Sequence, residues 1–439
     1  MKTFHLFVAL PLLLITTSNS LFGQEQVMRI DATRLVDSIS ATLKNNYVFP
    51  EKAVEIEKYL RKQLDAKAYE AITDPSKLIA KLTSDIRQVH VDPHMRIQYD
   101  PIFVNRKQGE VKPTEAEIAQ FKQYEKGQNY LFKKVEILPG NIGYLLFNGF
   151  TGDVEGAKSI ASSALRFLTN TDAIIIDLRW NGGGNPEMVS YVESFFFKKK
   201  KLIHTIIDRL GSDTTYYYAD PAKTDGLTLE MPIYILTSTR TFSGAEGFSY
   251  DMQSTKRAII VGETTGGGAH PTKFFLIGQG FRMGVPYARS WSPYTKTNWE
   301  GTGVKPDLSI AAVQALPTAQ KAILEELAKK ASNEAEKGRL NWALNKLIAE
   351  EKLRMPDSLN KFFPGTYAGG LRFYKEGGKL WCKNDELGGN LFQLTFIKDR
   401  LFVLDENAQV RFDVDERGKP SRIFLLFQNG HIVEKPLID

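Results

Sequence analysis

Residues 232–271 read PIYILTSTRTFSGAEGFSYDMQSTKRAIIVGETTGGGAHP, and the reading of this stretch decides the fold. PIYILTS is a short apolar run, long enough for a buried strand and too short for a helix. GAEGFSYDMQS changes to helical spacing, and RAIIVGE returns to a buried strand. The three make a β-α-β unit of a mostly parallel sheet. Ser243 falls where the first strand has ended and the helix begins, so its hydroxyl is exposed beside the unpaired N–H groups of a helix N-terminus. The same serine, with Glu246, also fits a capping box, in which it would only cap.

A chain of 439 residues has room for two or three domains with real cores. Its hydrophobic content of 42% and charged content of 25% are ordinary for a globular protein. The formal charge of +6 is modest, and residues 198–201 are the only dense basic run. That run reads as a solvated loop, so no nucleic-acid partner is expected. Residues 1–24 read as a signal peptide: Lys2, the apolar FHLFVALPLLLI, then TTSNS. The apolar run is too short to span a bilayer, so no integral membrane segment is expected, and the location is periplasmic or secreted. The sole cysteine, Cys382, excludes an internal disulfide, and its strand-like hairpin setting speaks against thiol catalysis.

Outward from the central unit, residues 25–115 read as an N-terminal helical domain. ATRLVDSISATLKNNY, PEKAVEIEKYLRKQLDAKAY and PSKLIAKLTSDIRQV carry apolar positions at helical spacing, and HVDPHMRIQYDP then turns extended. Residues 116–316 form the core. It holds two strands in KKVEILPGNIGYLLFNGF, a helix in AKSIASSALRFLTN, and a buried strand, DAIIIDLRW, that runs into Asn181 and Gly182–Gly184. A further helix, PEMVSYVESFFF, follows. Residues 317–356 read as a linker of two amphipathic helices. Residues 357–439 are short alternating segments punctuated by Gly, Asn and Asp, a small antiparallel β domain. The fold class is an α/β core with a mixed parallel sheet of β-α-β units, preceded by a helical domain and followed by the β domain.

Acyl transfer by a serine needs a base, a group that orients the base, and N–H donors for the oxyanion. His94, on the turn Asp92-Pro93-His94, can project into a cleft, and His90 and His270 compete for the role of base. Glu300, set among glycines in WEGTGV, could hold an imidazole. Gly244 follows the serine, and Gly182–Gly184 lie at a strand's C-terminal edge. Each of these has a bland reading as a surface histidine or a tight turn. Neither glycine tract is a phosphate loop, since GxxxxGK[ST] is missing. His90, Asp92 and His94 alternate as metal ligands would, but no third and fourth ligand motif accompanies them. No metal or organic cofactor is expected.

Taken together, TSTRTFSGAEGFSYDMQ, RAIIVGETTGGGAHP, DAIIIDLRWNGGG and NWEGTGVKPD resemble the tail-specific (C-terminal processing) serine peptidases. The nearest branch is the bacterial proteins similar to interphotoreceptor retinoid-binding protein, with the tricorn core protease as a more distant relative. NYVFPEKA and VDPHMRI resemble that branch as well, so the resemblance covers roughly residues 30–316. It implies Ser243 as nucleophile, His94 as base, Glu300 as the support of His94, and Gly244 with Gly183 as oxyanion donors. Two departures stand out. The Ser–Lys processing peptidases carry a lysine 25 residues after the serine, where this chain has Gly268, with Lys273 close by. There is also too little chain between the helical block and the core for a PDZ domain.

The expectation is therefore an exported serine hydrolase, a peptidase acting on a peptide or unfolded protein by a Ser-His-Glu mechanism; homo-oligomers are left open. The alternatives are a non-catalytic carrier of apolar ligands, of retinoid or fatty-acid type, on the same scaffold, and an esterase of small acyl compounds.

Overall fold

The computed structural model describes residues 30–211, 213–351, 353–359, 363–385 and 388–438. The signal peptide read over residues 1–24 lies outside them. The chain forms two compact units, one of residues 30–136, 144–170 and 174–312, the other of residues 137–143, 171–173 and 313–438.

The first unit opens with three helices whose starts follow from capping. In α1 (Ala32–Asn46) Asp31 accepts the Arg34 N–H; α2 (Pro50–Asp65) has proline at its first position; in α3 (Pro75–Val89) Asp74 accepts the Lys77 N–H. Their apolar faces bury Leu35, Ile39, Leu43, Ile56, Leu60 and Leu82, each burial stabilising by about 1.5–3 kcal/mol. After α3 come β1 (Arg96–Tyr99), β2 (Gly109–Glu110), α4 (Glu115–Gly127), β3 (Phe132–Leu138), β4 (Ile142–Phe147), α5 (Val154–Phe167) and β5 (Ala173–Asp177). Then follow α6 (Pro186–Glu193), β6 (Lys201–Asp208), β7 (Thr214–Ala219), β8 (Ile233–Thr237), α7 (Gly244–Ser254) and β9 (Ala258–Gly262). β10 (Thr272–Gly278), β11 (Phe281–Pro286), β12 (Ala288–Trp291) and β13 (Leu308–Ser309) complete it.

The central sheet has the order β13-β9-β8-β5-β4-β3, and β5, β8, β9 and β13 run parallel. β8-α7-β9 is the β-α-β unit of residues 232–271. β8 is buried on both faces and β9 is buried at every position but Ile259, which is why they read as continuous apolar runs without alternation. The N-terminal helices are not a domain sealed by themselves. β1 pairs antiparallel with β11, and Phe275, Ile277, Phe281, Met283 and Val285 of the β10–β11 hairpin share the core of α1–α3. Helical periodicity shows that a face is buried, not that strands from residues 272–286 cover it.

In the second unit, α8 (Ala312–Lys330) and α9 (Glu334–Ala349) precede strands between Gly365 and Pro436, arranged as a four-stranded and a five-stranded antiparallel sheet. α9 belongs to this β domain. Ala349 and Ile348 pack with Ile397 and Leu401, and Asn345 donates to Gln409, which donates to the Trp342 carbonyl.

Candidate active site

Ser243 closes the turn from β8 into α7 with φ +53° and ψ −119°. Residues other than glycine rarely adopt such a backbone, at a cost of order 1–3 kcal/mol, and such strain clusters at functional positions. Glu246, fully buried, holds the turn from beneath. It accepts the Ser243 N–H at 2.8 Å, the Thr265 hydroxyl at 2.5 Å, and the Gly267 and Gly268 N–H groups at 2.6 and 2.8 Å. One carboxylate thus ties the helix start to the glycine loop of residues 263–271. Burial raises its pKa, and the hydrogen bonds offset only part of the rise.

Gly183, at φ +93°, presses on the same turn. A Cβ there would stand 2.5 Å from the Gly244 nitrogen and 2.9 Å from the Ser243 Cβ, so only glycine fits. The sequence reading gives Gly183 an oxyanion N–H; in the structure that N–H is donated to Asn181 Oδ1 at 2.9 Å, which turns it away from the role. Gly184, the next residue, lines the Ser243 cavity, and its nitrogen would lie 3.0 Å from a Cβ on Gly244.

The pairing of β1 with β11 carries residues 92–94 to the glycine loop. The His94 ring packs on Phe242, the residue before the serine, with centroids 4.7 Å apart. A Cβ at Gly268 would come within 2.5 Å of His94 Cε1 and would also collide with the Phe242 ring. The imidazole therefore occupies the space into which a side chain at position 268 would grow. Neither His94 nitrogen has a hydrogen-bond partner among the described residues, and burial lowers its pKa to about 4, so the ring is neutral. Lys273 is engaged elsewhere, 3.4 Å from Glu110 and over the Tyr287 ring.

Glu300 does not pair with His94. Its Oε2 accepts the Ala269 N–H at 2.5 Å and lies 3.4 Å from His270 Nδ1. The reason is local. Gly301 N–H donates to the Gly267 carbonyl and the Trp299 indole to the Gly268 carbonyl, which lays residues 299–301 along the glycine loop and sets Glu300 level with His270. His270 Nδ1 is also 3.0 Å from Asp92 Oδ2, which accepts the Tyr47 hydroxyl at 3.1 Å. Burial raises the Glu300 pKa, His270 opposes and Asp92 adds, with the outcome about 7. Burial also pushes Asp92 up, but the hydrogen bonds it accepts from His270 and from the His94 N–H hold it below the usual carboxylate range. His90 caps α3 and packs against Tyr47 and Phe49.

Asp92, His270 and Glu300 bring ligand atoms within 4.8 Å of one another, and among the described residues this is where a cation could be held. All three atoms are already engaged in the contacts above, and neither His90 nor His94 joins them. The Asp92–His270 pair is what the sequence reading missed. Its only signal was two histidine-bearing motifs, VDPH and GAHP, with nothing to show that they meet.

Ser243, Gly244, Gly268 and His270 line one cavity. A strained hydroxyl on a helix N-terminus, the neutral His94 imidazole nearby and N–H groups around it are the parts that acyl transfer uses.

The sequence matches peptidase family S41 over residues 141–310, and the N-terminal domain of peptidase S41 in eukaryotic IRBP over residues 27–139. The chloroplastic carboxyl-terminal-processing peptidase 2 of Arabidopsis thaliana is 29% identical over 177 residues, 39% of this chain and 33% of the relative. A carboxy-terminal-processing protease of Bartonella bacilliformis is 26% identical over 174 residues, 39% of each chain. This chain thus spans a third to two fifths of the length of these relatives. Among solved structures, a lipoprotein from Streptococcus agalactiae superposes with a TM-score of 0.46 at 14% identity, covering 68% of this chain and 98% of that one. With both its N-terminal and its core segments matched, the chain belongs to peptidase family S41.

Proposed function

We propose that this chain is an exported serine-type peptidase that cleaves peptide bonds in a peptide or unfolded protein through an acyl-enzyme. The observation that carries this reading is Ser243, held at φ +53° on the N-terminus of α7 with a neutral imidazole packed on the preceding residue. Ser243 Oγ attacks the carbonyl carbon. His94 takes the hydroxyl proton and gives it to the leaving amine, and the Gly244 and Gly184 N–H groups receive the oxyanion. Water then attacks the ester, with His94 again the base. Asp92 and Glu300 act on His270 and on the glycine loop, so they position the wall of the site.

A second reading makes His270 the base. It is favoured by the cavity that His270 shares with Ser243 and by its Nδ1, anchored between two carboxylates as a catalytic imidazole requires.

The test of the function is labelling with a serine-reactive phosphonate, wild type against Ser243→Ala. Labelling confined to the wild type is the expected result. Equal labelling of both proteins would sink the reading, and tight retinoid or fatty-acid binding without labelling would point to the carrier.

A further inference from the structure

Gly247 and Asp251 share one face of α7, four and eight residues after Ser243, which caps the helix N-terminus. Serine and aspartate are two turns apart, roughly 12 Å along the axis. Gly247, between them, contributes no side chain, and the Trp299 ring packs over it, 3.3 Å from where a Cβ would stand. Glu193 of α6 and His204 of β6 line the same cavity, with Tyr217 paired opposite His204 on β7. The cavity therefore runs from the nucleophile along α7 to a group of acids.

Glu193 and Asp251 are each 1% exposed. Asp251 has a partner, His204 Nδ1 at 3.2 Å. Glu193 has none: both of its carboxylate oxygens are buried without a hydrogen bond among the described residues. A buried acid left without donors is unfavourable, and folds normally supply them. No lysine or arginine is among the described residues that line the cavity. A ligand that brings N–H donors into the cavity would satisfy Glu193. Trp299 and Tyr217 line the same cavity and pack on His204, and aromatic rings attract a cation.

We propose that this cavity is a specificity pocket for a basic side chain, lysine or arginine, of the peptide whose carbonyl Ser243 attacks. The assignment rests on the serine-peptidase reading of Ser243. A long, flexible side chain with a terminal cation spans the two turns of α7 past Gly247, and brings its N–H donors to Glu193 and Asp251. An apolar side chain would fill the space and leave Glu193 as it is. Burial, with the charge of Asp251, holds the Glu193 carboxyl well above its usual range, and an incoming cation opposes that shift.

The test uses the full-length protein and two aryl phosphonate probes that differ only in side chain, lysine against norleucine. The lysine probe is expected to label Ser243 about tenfold faster or more, the worth of a hydrogen bond to a charged group. Glu193→Gln should bring the ratio of the two rates close to one. In parallel, Ser243→Ala is titrated with the matching lysine and norleucine peptide amides, and the lysine amide should bind more tightly by a similar factor. Equal rates with equal affinities overturn the basic pocket and leave the peptidase reading standing. Lysine-selective binding with no labelling by either probe upholds the pocket and sinks the peptidase reading. If Glu193→Gln does not fold, the wild-type ratios still decide.

Discussion

Glu246 accepts the Ser243 N–H at 2.8 Å from the third position of α7, and the same carboxylate receives two N–H groups of the glycine loop. Removing it strands buried donors on both segments. Glu246→Ala is expected to destabilise the fold by about 3 kcal/mol or more and to abolish phosphonate labelling. Glu246→Gln, which turns an NH₂ toward N–H donors, should cost roughly 1–3 kcal/mol. Denaturant unfolding checks both, and an unchanged midpoint for Glu246→Ala would show that the loop is held by other contacts.

Ser243 carries backbone strain as well as the hydroxyl. Ser243→Ala should lower hydrolysis by roughly 10⁴-fold or more with the fold intact. Ser243→Gly should be equally inactive yet more stable by about 1 kcal/mol, because glycine adopts a positive φ without a Cβ clash. Thermal unfolding of the two variants measures the difference; a glycine variant less stable than the alanine one would remove strain from the account.

The two imidazoles separate by mutation and by pH. With His94 as base, His94→Ala should cost about 10²–10⁴-fold in kcat, and Lys273→Ala, whose amine is paired with Glu110, should cost little. An ordinary imidazole titrates near ~6.5, but His94 is pushed down to about 4, so kcat should hold through mildly acid pH and fall only toward 4. Loss of activity in His270→Ala with retention in His94→Ala would transfer the base to His270. The sign for stability follows from the same shift. Between 6.5 and 4 the unfolded chain takes a proton that native His94 refuses, so His94 contributes a loss of stability as pH falls through that window. His94→Gln should flatten that slope.

Glu300 shows the opposite sign. Its folded pKa, about 7, lies above the ordinary carboxylate value, so between about 4.5 and 7 the native state holds the extra proton and stability declines as pH rises. Glu300→Gln should remove that decline. It should also weaken catalysis, through the His270 and Ala269 contacts rather than through His94. Stability curves against pH for wild type and variant would settle it, and parallel curves would mean that Glu300 titrates normally.

The C-terminal truncation point matters because α9 packs on the β strands. A chain ending at residue 351 would expose Ile348, Ala349 and the Asn345 amide, and is expected to aggregate. If it stays soluble and monodisperse in size-exclusion chromatography, α9 is stable without the β domain.

What the sequence determined by itself was local. Apolar periodicity in residues 32–89 predicts the three helices, and the run-helix-run of residues 232–262 predicts β8-α7-β9. The boundary between them locates Ser243 on a helix N-terminus, because strand, turn and helix preferences act over a few residues. The antiparallel pairing of β1 with β11 brings Asp92 onto His270, 178 residues away, a relation no spacing encodes. Glu300 sits in a motif that suggests an imidazole partner, but only the hydrogen bonds of residues 299–301 to the glycine loop select His270 over His94. Glu193 reads as one charge in the apolar run VSYVESFFF. Helical spacing marks the buried face of α6, yet only packing puts that face against Asp251 and the Ser243 cavity, since which carboxylates meet is fixed by how elements pack and not by their own sequences.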